Sequence, residues 1–395
     1  MTHGRATAPV ATIVGVALTT VRVSAKTQWI FLELADDQGR LGHGEATLQR
    51  REAAVAERVV SVATAYLGQP VDPQQRKAWL LLPRTMDGGA AASAFDHAMW
   101  DLAAQAAELP LARLLGSCDV AVPLYANVNR GLPSREPQAF ALAVRAAVDA
   151  GFDAVKIAPF DEIDVHGRWG APLPVTKQGM ALGLARIEAA REALGPAIDL
   201  MVDCHWRFDQ KSAHSMVDAV AAYRLGWLEC PVPEDAAWLP LIADLRKRAN
   251  HHGMRLAGGE DGVGCAAFEP FLAANTYDVL MPDIKYVGGI AEMQEVARRA
   301  QAKGVAIAPH NPSGPIAHAV SAHVCTVLPG FDRLELQFEE STLFDTLLDP
   351  PLPQPSRGQQ HLPAAPGLGV RLHVGMQGGE GMQRLSWGRI AGATH

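Results

Sequence analysis

The chain has 395 residues, 48% hydrophobic and 19% charged, with a formal net charge of −7. That length and apolar content suit two domains around large cores. No basic cluster stands out, which argues against nucleic acid as a partner, and no apolar run is long enough to span a membrane. The opening residues, MTHGRATAPVATIVG, lack a basic stretch followed by a long apolar one, so no secretion signal is expected. Five cysteines (Cys118, Cys204, Cys230, Cys265, Cys325) are odd in number and form no CxxC pair. They read as reduced, mostly buried thiols of a cytoplasmic protein.

Taken in chain order, residues 9–48 alternate as antiparallel strands do, with DDQGR as a turn between TQWIFLELA and LGHGEA. Residues 51–67, 73–83 and 91–109 read as helices, the last closed off by Pro110 and Gly116. Residues 1–120 therefore form an α+β unit. From Val122 the rhythm changes to strand, loop, helix. Strands are expected at 122–127, 153–157, 198–203, 226–229, 255–259, 278–281, 304–308 and 333–336. The intervening segments, such as GMALGLARIEAAREALG and GIAEMQEVARRAQAKG, have apolar residues at helical spacing and mostly end in glycine. Eight such strands with right-handed crossovers make an α/β chain whose residues 121–344 close into a TIM-type barrel. Residues 160–178 form a long loop of the kind that shapes a pocket. The Pro- and Gly-rich residues 345–395 are expected to run back over the N-terminal unit.

Asp203, Glu229, Glu260, Asp283 and His310 each follow a short apolar run (IDLMVD, GWLE, RLAGGE, YDVLMPD, VAIAPH) at intervals of 23 to 31 residues. That is the period of the strand–helix unit, and the C-terminal ends of barrel strands carry active sites. Taken singly, each acid could sit at a helix N-terminus. Together they point to one pocket. Three converging carboxylates, Asp203, Glu229 and Glu260, repel one another unless a cation offsets them. All-oxygen ligands with room for water and substrate select Mg²⁺. Such a metal stabilises the enolate left when a proton beside a substrate carboxylate departs.

That step needs a base. Asp283 and His310, on adjacent strands, suit an imidazole base oriented by a carboxylate. His205, two residues beyond Asp203 and so expected on the same inward strand face, could protonate a departing hydroxyl. Lys156 could supply positive charge to the enolate, and Glu335 could accept a hydrogen bond from the substrate.

The segments VDCHWRFD, WLECPVPED, AGGEDGVG, MPDIKYVGGI, APHNPSGPIAH and PGFDRLELQ occur in the order of the enolase superfamily, and the chain resembles its mandelate-racemase-like branch. SAFDHAMWDLAAQAAELPLARLLGS resembles the last helix of that family's capping domain. The resemblance covers roughly residues 10–345 and implies an α+β capping domain, completed by residues 345–395, over a (β/α)₇β barrel. It also implies Asp203, Glu229 and Glu260 as Mg²⁺ ligands, Asp283 and His310 as the base dyad, and Glu335 as the glutamate of strand eight. Many relatives carry Lys-x-Lys at the end of strand two. Here Lys156 fits the first lysine and Ala158 stands in place of the second. A racemase needs bases on both faces of the substrate carbon, whereas a dehydratase needs one base and one acid. The Asp203–His205 pair and the HNPSGP segment resemble acid-sugar dehydratases of the galactonate type. The expected activity is thus a carbon–oxygen lyase acting on a small carboxylate, an acid sugar, in a homo-oligomer (dimer or octamer). An epimerase or cycloisomerase of the same superfamily and a catalytically silent ligand-binding barrel remain open. A fold alone does not choose among them.

Overall fold

A computed structural model describes residues 11–24, 27–162, 175–373 and 382–390. The N-terminal strands β1 (Ile13–Arg22), β2 (Gln28–Asp36) and β3 (Leu41–Glu45) form an antiparallel sheet. The helix Met86–Ala106 lies across β3 with nearly its whole surface buried. Two glycines permit that contact. A Cβ on Gly42 would stand 2.2 Å from Ala98 O, and one on Gly44 2.0 Å from Ala94 O. The repeated glycine of LGHGE is therefore where backbone meets backbone.

The helix begins five residues earlier than the expected start at Ala91. Gly88 and Gly89, which weaken a helix in isolation, are retained for packing: a Cβ there would meet Pro83 O at 2.1 Å and Tyr286 O at 2.4 Å. The expected helix 73–83 divides into a 3₁₀ turn, Pro73–Gln75, and a short helix, Lys77–Leu81, because Arg76 between them adopts a left-handed φ of 48°.

The second sheet is parallel. Its strands are β4 (Ala121–Asn127), β5 (Ala154–Ile157), β6 (Asp199–Asp203), β7 (Trp227–Glu229), β8 (Arg255–Gly258), β9 (Val279–Leu280), β10 (Ala306–Ile307) and β11 (Leu334–Gln337). Each pairs with its sequence neighbour from β4 to β10, and β11 returns to pair with β4. Ile307 completes the circuit by bridging Phe331 just before β11. All eight strands fall where the sequence placed them, and helices intervene as the (β/α)₇β pattern requires. Tyr125, Met201, Trp227 and Met281 fill the barrel's interior beneath the site, Trp227 meeting Tyr125 edge-on.

After the barrel, β12 (Gln359–His361) adds to β4, and β13 (Met382–Gly388) pairs antiparallel with β1. The C-terminal segment thus returns to the N-terminal sheet. No helix among the described residues is long and apolar enough to cross a membrane. All five cysteines are free thiols; Cys204, Cys230 and Cys325 are buried, while Cys118 is exposed.

The N-terminal unit also grips the barrel loops that matter. From the helix Met86–Ala106, Ser93 Oγ accepts from Gly288 N, Asp96 Oδ2 accepts from Ile290 N, and His97 Nε2 lies 3.1 Å from Ile284 O. From the end of β3, Glu45 accepts from Gly314 N and Ala317 N, each at 2.8 Å. The first set fixes the loop after β9, and Glu45 fixes the loop after β10.

Candidate active site

Asp203 and Glu229 are the last residues of β6 and β7, and Glu260 stands two residues beyond β8 after the left-handed Gly259. All three are buried, and one carboxylate oxygen of each lies within 4.8 Å of the others. Glu229 Oε2 accepts from Trp227 Nε1 at 3.0 Å. Lys156 of β5 is fully buried, with Nζ 2.6 Å from Glu229 Oε1, 3.2 Å from Glu335 Oε1 and 4.0 Å from Asp203 Oδ2.

Burial drives the charges of this group in different directions. It pushes the Glu229 carboxyl well above the usual range, although Lys156 pulls it back. It would strip the proton from Lys156, but Glu229 and Glu335 hold the ammonium well above its ordinary value. It opposes ionisation of Asp203 too, yet His205 and Lys156 keep that carboxyl well below its usual range. Lys156 is shared among Glu229, Glu335 and Asp203, and His205 also reaches Asp203, yet the triad of Asp203, Glu229 and Glu260 still fits a further cation: it is all oxygen, convergent and buried.

On the other flank, Asp283 and His310 each lie three residues beyond their strands, because β9 and β10 are only two residues long. His310 Nδ1 is 2.8 Å from Asp283 Oδ2, and Nε2 is 3.6 Å from Glu260 Oε1. A proton on Nδ1, donated to the aspartate, would leave the Nε2 lone pair facing the carboxylate triad. The Tyr286 hydroxyl lies 3.2 Å from His310 Nδ1. Burial opposes ionisation of Asp283, but Lys285 and His310 bring its carboxyl down to about 2.

The sequence reading missed Lys285. It is buried, and its Nζ donates to Asp283 Oδ2 at 2.6 Å and to Ser313 Oγ at 2.7 Å, linking the two dyad loops. A lysine in the apolar segment MPDIKYV, two residues after an expected site acid, was the available signal.

Glu335 accepts from Asn127 Nδ2 at 2.5 Å and from Asn311 N at 2.9 Å. Against the cost of burial, Lys156 and His310 lower its carboxyl to about 2. Asn127 and Asn311 were also missed, since an asparagine at a strand end carries no periodic signal.

His205 reaches the site differently from expectation. The strand stops at Asp203, and His205 and Trp206 take left-handed φ values of 46° and 57°. A turn, with His205 N donating to Asp203 Oδ1 at 2.9 Å, brings the imidazole back so that Nε2 is 2.9 Å from Asp203 Oδ2. Strand alternation does not apply there. Of the 160–178 loop expected to shape the pocket, residues 163–174 lie outside the described residues.

A cap over a (β/α)₇β barrel, with a carboxylate triad and an Asp–His dyad at and just beyond its strand ends, is the arrangement that the resemblance implies. The comparisons with known proteins agree. Residues 3–116 match the mandelate racemase / muconate lactonizing enzyme N-terminal domain, and residues 139–375 match the enolase C-terminal domain-like model. The chain belongs to the mandelate racemase/muconate lactonizing enzyme group of the enolase superfamily, and it is an enzyme of that group.

It is 30% identical over 315 residues to D-galactonate dehydratase of Verminephrobacter eiseniae, covering 78% of this chain and 77% of that one. It is 29% identical over 355 residues to D-gluconate dehydratase of Thermoproteus tenax, covering 87% and 68%. A crystal structure of an enolase superfamily member from Salmonella Typhimurium superposes with a TM-score of 0.83 at 25% identity, covering 96% of this chain and all of that one.

Proposed function

We propose that the protein is a Mg²⁺-dependent dehydratase of a sugar acid, giving a 2-keto-3-deoxy acid. The observation that carries this reading is His310 Nε2, held by Asp283 and standing 3.6 Å from a member of the carboxylate triad. Asp203, Glu229 and Glu260 would hold the Mg²⁺, which when bound supplies positive charge to the oxygens of the deprotonated substrate carboxylate. His310 Nε2 takes the proton from the carbon beside that carboxylate. Lys156 adds charge on the β5 side, and Glu335 accepts a hydrogen bond from the substrate. His205 gives a proton to the β-hydroxyl as it leaves. The relatives named as galactonate and gluconate dehydratases support the substrate class. A position for only one lysine on β5, with Ala158 beyond it, supports elimination over racemisation.

The His310→Asn variant tests the base. It should neither exchange the α-proton with D₂O nor form product, while calorimetry shows Mg²⁺ binding unchanged. Turnover at the wild-type rate would refute the assignment.

A further inference from the structure

The loop after β5 carries an acid to which no role has yet been given. Asp161 Oδ1 lies 2.6 Å from His205 Nδ1, across 44 residues of sequence. Asp161 is itself held from behind. Arg135 Nη2 is 3.6 Å from its Oδ2, and Arg207 Nη2 is 3.9 Å from its Oδ1. Arg135 is fixed in turn by donating to Ala158 O and to Glu162, with its guanidinium over the Phe140 ring. Ala158, where relatives carry a lysine, thus contributes its backbone carbonyl to this support.

The arrangement resembles the one across the pocket at Nδ1 and differs at Nε2, which lies 2.9 Å from Asp203 Oδ2 here and 3.6 Å from Glu260 Oε1 there. His310 has Nδ1 on Asp283 and Nε2 toward Glu260; His205 has Nδ1 on Asp161 and Nε2 toward Asp203. An imidazole held this way presents a defined nitrogen to the substrate, and its partner decides which one. The left-handed backbone at His205 is a conformation that residues other than glycine adopt at some cost, and it recurs at functional sites.

We propose that Asp161 is the positioning residue of a second acid–base pair: it fixes the His205 ring through Nδ1, which sets Nε2 at the rim of the carboxylate triad, 2.9 Å from Asp203 Oδ2, to protonate the departing hydroxyl. This rests on the dehydratase reading. The α-proton goes to His310 Nε2, and its electron pair forms the C2–C3 double bond. The C3–O bond breaks with its electrons on oxygen, which takes the Nε2 proton of His205 and leaves as water. The enol then tautomerises to the 2-keto acid. Asp161 touches no reacting atom.

Two measurements separate this role from mere support of the loop. In D₂O, Asp161→Ala should slow water loss by about 10- to 100-fold, while α-proton exchange, the work of His310, falls far less. In a His205→Asn background the same change should add less than about twofold, because Asp161 acts only through His205. Equal loss of exchange and elimination, or a double variant whose loss is the product of the two, would overturn the proposal. The pairing itself is read without substrate by ¹⁵N-histidine NMR. The His205 signal, identified by its disappearance in His205→Asn, should show a protonated Nδ1 in the wild type and a shifted signal in Asp161→Ala. An unshifted signal overturns the pairing, whereas a shifted signal in a protein that dehydrates no sugar acid faults the dehydratase reading instead.

Discussion

Replacing Lys156 with methionine removes the buried ammonium that the resting site depends on, while keeping most of the bulk of its stem. Its Nζ lies within 4.0 Å of carboxylates on Glu229, Glu335 and Asp203, all buried. At an effective dielectric near 20, one such pair at about 4 Å is worth about 4 kcal/mol. Three pairs do not add, because stranded carboxylates relax by taking up protons or cations. The expected net loss is the cost of removing one partner from a buried ion pair, about 3–5 kcal/mol. Urea unfolding in EDTA at pH 8 should read this as a lower midpoint. The deficit should shrink as pH falls and the carboxyls are protonated. Saturating Mg²⁺ should restore more stability to the variant than to the wild type, since a cation at Asp203, Glu229 and Glu260 replaces part of the lost charge. Equal midpoints in EDTA would refute the electrostatic account of the site.

Glu45→Ala should destabilise the protein by about 2 kcal/mol, because it orphans two buried N–H groups, one on the loop that follows His310 and one in the first turn of the helix Pro315–Cys325, less what is regained by no longer burying a carboxyl. An unchanged urea midpoint would count against that bridge between cap and barrel. The pH dependence of stability has a defined sign at His318. Burial lowers its pKa from 6.5 to about 4, with Nδ1 accepting from Asn311 and Nε2 on Gln360. The unfolded chain therefore protonates first. The stability contributed is full above pH 6.5 and is lost as pH drops toward 4, at up to about 1.4 kcal/mol per unit. His318→Gln should flatten the fall of the unfolding midpoint across that window, and identical slopes in both proteins would contradict the prediction.

The barrel was legible because its signal is local. Each strand is a short apolar run, each helix has its own period, and the candidate site residues lie in or just beyond the runs. That logic located Asp203, Glu229, Glu260, Asp283, His310, Lys156 and Glu335 in the strands or within three residues of their ends. It misjudged elements where tertiary contact overrides local preference. Gly88 and Gly89 belong inside a helix because the backbones of Pro83 and Tyr286 press against them. His205 leaves the strand and returns by a turn, which alternation cannot foresee.

The residues that hold the site residues in place were the ones missed. Asp161, Lys285, Asn127, Asn311 and Glu45 act across loops or between cap and barrel. Glu45 reaches Gly314 over 269 residues, and no sequence period encodes such a bond. Lys285 gave a faint hint, as a charge inside an apolar segment. Asp161 gave none, since FDEID holds three acids with nothing to choose between them.

Incubation of the purified protein with a library of sugar acids, assayed for 2-keto-3-deoxy product with Mg²⁺ and again after EDTA, tests the central claim most directly. The account predicts product from at least one acid with Mg²⁺ and none once the metal is removed. Undiminished product in EDTA, or no product from any acid, would contradict it.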